Sequence, residues 1–192
     1  MQPTSFGMGS DSLAQFGGLG STLLYVGAVL AINGLGRLTG IDPRAQAIVN
    51  IFAGAVGVCN GFSGLIFGGF DSYAYGGNFY ACATGLLFAF TYLLIAYNNL
   101  MGITDGRTLG WYQGFVACNA VACGILSWVI DGDFVYAIIW WLWALLWLTG
   151  WIELVAKKNL GKFVGVLGIF EGVCTAWIPG FMMLRGVWRF AW

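Results

Sequence analysis

The sequence predicts an all-α membrane protein of six transmembrane helices. Three observations carry this. The chain of 192 residues is 59% hydrophobic and 8% charged, against roughly 25% charged in ordinary soluble domains. Its apolar residues gather into long, uninterrupted stretches of the ~20 residues a helix needs to cross a bilayer. Those stretches do not alternate polar and apolar residues as the ~10-residue strands of a barrel would, and lipid leaves no other way to satisfy the backbone.

The stretches follow in order as about residues 20–38, 46–69, 78–100, 109–130, 134–156 and 163–188. Six spans use most of the chain, so 20–192 reads as one transmembrane domain. Residues 1–19, rich in Gly and Ser and without Lys or Arg, read as a mobile tail rather than a signal peptide, with Met8 an alternative start. Basic residues mark the loops. Arg37 and Arg44, Arg107, and Lys157, Lys158 and Lys162 fall in the 1–2, 3–4 and 5–6 connections, while the 2–3 and 4–5 connections hold only Asp71, Asp131 and Asp133. That bias places both termini outside the cytoplasm, with Arg185 and Arg189 running against it.

Within the first stretch, Asn33 precedes Arg37. The second has a glycine face, Gly54, Gly57, Gly61, Gly64 and Gly68, which either packs against a neighbour or widens a lumen. The third places Phe88, Tyr92, Ile95 and Asn99 on one face, and the phenol of Tyr92 needs a partner so deep in an apolar run. Asn50, Asn60, Asn119 and Glu171 interrupt the second, fourth and sixth stretches, and a polar residue ends the first, third and fifth; this faint threefold pattern fits three helix hairpins about one axis. Trp111, Trp128, Trp188, Trp192, Tyr73 and Tyr75 lie near span ends and read as interfacial anchors.

The fifth stretch is the most unusual. Trp140, Trp143, Trp147 and Trp151, with Tyr136, share one helical face, and Trp141 points elsewhere. The stripe either packs helices or lines a path. Glu153 near its end reads as an ion pair with Lys157. In the sixth stretch, Glu171 is a mid-span carboxyl, costing on the order of 2.5–3.5 kcal/mol to insert. It either faces a lumen or orients its lining, or it fixes packing between helices. Pro179 lacks the N–H that would bond the carbonyl of Thr175 and predicts a kink.

Absences narrow the chemistry. Histidine is missing, and with it the usual general base, metal ligand and neutral-pH sensor. The five cysteines sit in apolar segments without a C-x-x-C pair and read as packing residues. No phosphate loop, nucleophile motif or metal cluster appears, so neither an enzyme nor a cofactor or metal is expected, and zero net charge gives no reason to expect nucleic acid. A lining without charged rings suits a small, neutral, polar solute.

Several strings together, LLYVGAVLAINGL with IDPRA, ATGLLFAFTYL, AIIWWLWALLWLTGWIE, LGKF and EGVCTAWIPG, resemble the urea/amide channel family, which includes proton-gated urea channels of gastric bacteria and amidase-associated amide transporters. The resemblance implies a bacterial inner-membrane homohexamer with a narrow pore through the six-helix bundle of each protomer. On this sequence the implied lining is Trp140, Trp143, Leu146 and Trp147, Phe88 and Tyr92, and Leu23 and Leu30, with Glu171 matching the family's acid on the last helix. It further implies urea or short amides as permeants and a functional pairing with a cytoplasmic urease or amidase. Three functions remain open: a passive urea or amide channel, an amide-selective transporter supplying an amidase, and a non-conducting scaffold. Gated relatives have a long, His-bearing 2–3 loop. Here that loop is short and His-free, so the expectation is a channel without proton gating.

Overall fold

A computed structural model describes residues 10–67 and 77–188. All of its regular structure is helical: α1 (Ser10–Thr39), α2 (Pro43–Phe67), α3 (Gly77–Met101), α4 (Arg107–Val129), α5 (Phe134–Leu154), α6 (Lys162–Glu171) and α7 (Ile178–Leu184), with a π-helical turn Gly172–Trp177 joining the last two into one span. Among the described residues, six helical segments have the length and hydropathy to cross a membrane. The predicted fold class therefore stands, with one boundary moved. Helix α1 begins at Ser10, inside the stretch read as a tail, and residues 1–9, most of the 2–3 loop, Tyr73, Tyr75, Arg189 and Trp192 lie outside the described residues.

The helices form a ring in which each contacts the next and the last span returns to α1. The extensive contacts are α2 with α3, α4 with α5, and α1 with α6–α7. The three pairs are thus offset by one helix from consecutive hairpins starting at α1: the 2–3 and 4–5 turns lie within pairs, and the basic 1–2, 3–4 and 5–6 loops run between them. Side-chain size explains the pairing. A Cβ on Gly54 or Gly61 of α2 would run into Leu93 or Leu86 of α3, so the glycine face seen in the sequence packs helices. Gly114 and Gly124 of α4 likewise admit Trp151 and Trp141 of α5.

The α1 pair is closer still. A Cβ on Gly20, Gly27 or Gly34 would lie 2.9, 2.8 or 2.5 Å from the carbonyl oxygens of Gly180, Gly172 and Gly165 respectively. Backbone meets backbone, as small residues allow in lipid. The kink expected at Pro179 takes the form of the π-helical turn just before it, where the N–H of Ile178 reaches back to the carbonyl of Val173.

Polar groups close the α1–α2 seam. Asn33 and Asn50 exchange two amide hydrogen bonds of 3.0 Å each, and Asn60 donates to Ser21 and Thr22. The outer surface is apolar, with Phe52, Ile66, Phe115, Trp128, Phe163 and Phe181 exposed. Trp188 departs from its expected anchor role: it is buried, and its indole N–H donates to Asp133 at 2.7 Å.

Candidate functional site: an aromatic-capped cavity

A cavity of about 410 Å³ lies inside the ring. All six spans contribute to its lining, α3 and α5 through faces readable at their own periodicity. Helix α3 contributes Phe88, Tyr92, Ile95 and Asn99, the face that the sequence placed together, and α5 contributes Trp143, Leu146 and Trp147. Leu30 lies opposite on α1, and Gln113 comes from α4.

Six of the nine residues singled out from the sequence line this cavity: Phe88, Tyr92, Trp143, Leu146, Trp147 and Leu30. Leu23, Trp140 and Glu171 do not. Each lies about one turn beyond a lining residue of its own span, Val26 on α1, Trp143 on α5 and Gly168 on α6. The cavity therefore ends at a common level. Phe88 closes it, meeting Trp147, Trp143 and Trp140 edge-on with ring centroids 4.4, 4.9 and 5.4 Å apart. Trp140 and Leu23 join the buried cluster on the far side, and Tyr136 continues the ring stack against Trp140 and Trp143. Trp151 leaves the stripe and packs against Trp111.

Hydrogen bonding divides the aromatic groups. The indole N–H of Trp143 donates to the hydroxyl of Thr175 at 2.8 Å, and that hydroxyl donates to the backbone carbonyl of Glu171 at 2.6 Å. Trp143 is thereby held against the π-helical turn, and its N–H is committed. Trp147 and Tyr92 have no hydrogen-bond partner among the described residues, so their polar atoms remain available to the cavity. Glu171 is fully buried, and neither carboxyl oxygen has a hydrogen-bond partner among the described residues. It stands within electrostatic reach of the Tyr92 phenol.

At the opposite end, Arg37 of α1 pairs with Glu153 of α5 and also donates to the carbonyl of Gly161. Glu153 accepts a second bond from the N–H of Leu160 at 3.0 Å. Both charged residues line the cavity. The expected partner Lys157 is displaced because α5 ends at Leu154, and Lys157 takes a left-handed turn conformation with φ of 57°. Sequence reasoning missed Arg37 and Gln113 as lining residues. Arg37 reads from the sequence as part of the basic 1–2 connection, and Gln113 lies on a helix without a visible polar face. Among the described residues, no group of His, Cys, Asp and Glu is placed to hold a metal ion.

A chamber with apolar and carboxamide walls, capped by rings and bordered by a neutralised ion pair, is a geometry for passing or holding a small solute. Residues 19–187 match the AmiS/UreI family transporter profile. The chain belongs to the AmiS/UreI family. It is 42% identical to the acid-activated urea channel of Helicobacter pylori strain J99 over 88% of this chain and 99% of that one. A Mycolicibacterium smegmatis protein named for transport of amidate substrates is 37% identical over 90% of this chain and 78% of its own. The crystal structure of the Helicobacter pylori urea channel superposes with a TM-score of 0.80 at 41% identity, covering 89% of this chain and 99% of that one. This AmiS/UreI member is therefore a multi-pass membrane protein, related to channels and transporters rather than to enzymes.

Proposed function

We propose that this AmiS/UreI protein is a passive channel for urea or short aliphatic amides. The observation that carries the reading is the chamber ending on Phe88, Trp143 and Trp147. Urea is planar, neutral and strongly dipolar. Edge-on rings make a slot that admits a plane, and Trp147 and Tyr92 supply sparse hydrogen bonds without trapping the solute. An ion entering the slot would lose hydration with no fixed charge to replace it. Leu23 and Trp140 then line the path beyond the cap once the rings part, while the Thr175 hydroxyl and the backbone carbonyl of Glu171 hold Trp143 from behind.

The family resemblance supports a homohexamer in a bacterial inner membrane. The basic ends of the helices favour termini on the outer side. The missing histidine favours conduction without acid gating, even though the Helicobacter pylori relative is acid-activated. Amide preference is the second reading, favoured by the relative named for amidate substrates.

Solute flux in proteoliposomes tests the proposal. Wild-type protein should pass urea or acetamide well above protein-free vesicles, and Trp147→Ala should change both the rate and the selectivity by several-fold. A well-folded Trp147→Ala protein with wild-type flux and selectivity would remove the slot, and no flux from wild type would favour the scaffold.

A further inference from the structure

Four side-chain carboxamides line the cavity between the aromatic cap and the Arg37–Glu153 bridge: Asn33, Gln46, Asn99 and Gln113. Two are already used. Asn33 is paired with Asn50, and Gln46 donates to the carbonyl of Ile32 at 3.0 Å. The other two are not. The Gln113 amide lies against Gly150, and its oxygen is buried without a hydrogen-bond partner among the described residues. Asn99 has no hydrogen-bond partner among them either.

A buried polar atom without a partner is costly, and proteins seldom keep one without a use. The chemistry of a free carboxamide is specific. It offers a carbonyl acceptor beside two N–H donors, so it pairs with another primary amide through two antiparallel N–H···O bonds, as Asn33 and Asn50 do within this protein. Urea and acetamide present the same edge. A polyol of similar size cannot form that two-bond pair.

We infer that this cavity is a holding site for one urea or primary amide, read by the carboxamides of Gln113 on α4 and Asn99 on α3. The inference rests on the channel reading above and deepens it. The aromatic cap selects by shape and charge, while the chamber on its basic side selects by amide chemistry. Gly150 has a part in this: any side chain there would displace the Gln113 amide.

The test is stopped-flow flux of urea, acetamide and glycerol from proteoliposomes, as a function of solute concentration, for wild type, Gln113→Met and Asn99→Leu. Urea flux through wild type should saturate. Each variant should raise the half-saturating urea and acetamide concentrations several-fold and lower the amide-to-glycerol flux ratio. Non-saturating urea flux in wild type would overturn the holding site without recourse to any variant. Unchanged half-saturation and unchanged amide-to-glycerol ratios in both variants would also overturn it while leaving the channel intact. If wild type passes neither urea nor acetamide, the channel reading fails and this inference falls with it.

Discussion

At the scale of single residues, the site turns on three groups that the sequence located but could not connect. Trp143 was visible as part of a stripe and Glu171 as a mid-span acid, but the chain from indole N–H to Thr175 hydroxyl to Glu171 carbonyl joins two helices far apart in sequence. Periodicity reports which residues share a face, not which face they meet. Replacing Trp143 with Phe removes the indole donor and leaves the Thr175 oxygen with one partner fewer. It should lower stability by about 1–3 kcal/mol, read as an earlier thermal transition in detergent. Glu171 carries the opposite expectation. Its carboxyl oxygens are buried and lack hydrogen-bond partners among the described residues, so the similarly sized Glu171→Leu removes a desolvation penalty rather than a bond. Stability should hold or rise by up to about 1–3 kcal/mol, while urea flux falls if the carboxyl supports the lining. A clear loss of stability in that variant would show that Glu171 has a partner of its own.

At the scale of helices, pairing follows glycine. The face on α2 was legible because Gly54, Gly57, Gly61 and Gly64 recur at helical spacing within one span. The ladder that closes the ring was not, because its halves sit at opposite ends of the chain. Gly20, Gly27 and Gly34 step by seven, whereas Gly165, Gly172 and Gly180 step by seven and then eight. The eight-residue step spans the π-helical turn Gly172–Trp177, whose wider turn takes up one extra residue and returns Gly180 to face Gly20. A proline read alone predicts a kink; only the partner helix shows why the turn must widen. Filling the ladder should be destructive. Gly34→Leu places side-chain carbon where a Cβ alone would already be 2.5 Å from the Gly165 carbonyl. It should cost at least the ~1–3 kcal/mol of ordinary overpacking, since backbone cannot rotate aside. At Gly85 on α3 an added Cβ meets nothing within 4 Å, so Gly85→Leu should melt close to wild type. Equal melting of the two variants would remove the ladder as the ring's closure.

For the whole molecule, the six spans and the lining on α3 and α5 were readable because a membrane enforces length, hydropathy and helical faces together. The level at which the cavity stops was not, since it depends on how Phe88 fits among three indoles. Acid response belongs to this scale as well, because it sums every titratable group that solvent can reach. No imidazole contributes. Two carboxyls outside the spans are perturbed in opposite senses. Hydrogen bonds from Arg107 hold Asp105 well below the usual carboxylate range, so its stabilising effect is present above the ordinary value of about 3.9 and is lost only as pH falls toward its lower folded value. Burial, and then the neighbouring Asp133, push Asp131 up. The folded protein keeps that proton longer than the unfolded chain, so Asp131 favours folding in acid and loses that contribution as pH rises through its folded value. Neither group supplies the steep transition centred near pH 6.5 that a histidine cluster would. Urea flux at about pH 5 should therefore stay within about twofold of flux at about pH 7.5, on either side of the imidazole range. The Helicobacter pylori channel, acid-activated by name, serves as the positive control in the same vesicles. Several-fold activation of this protein in acid would show that carboxyl groups alone can gate it, with Asp131→Asn the first variant to examine.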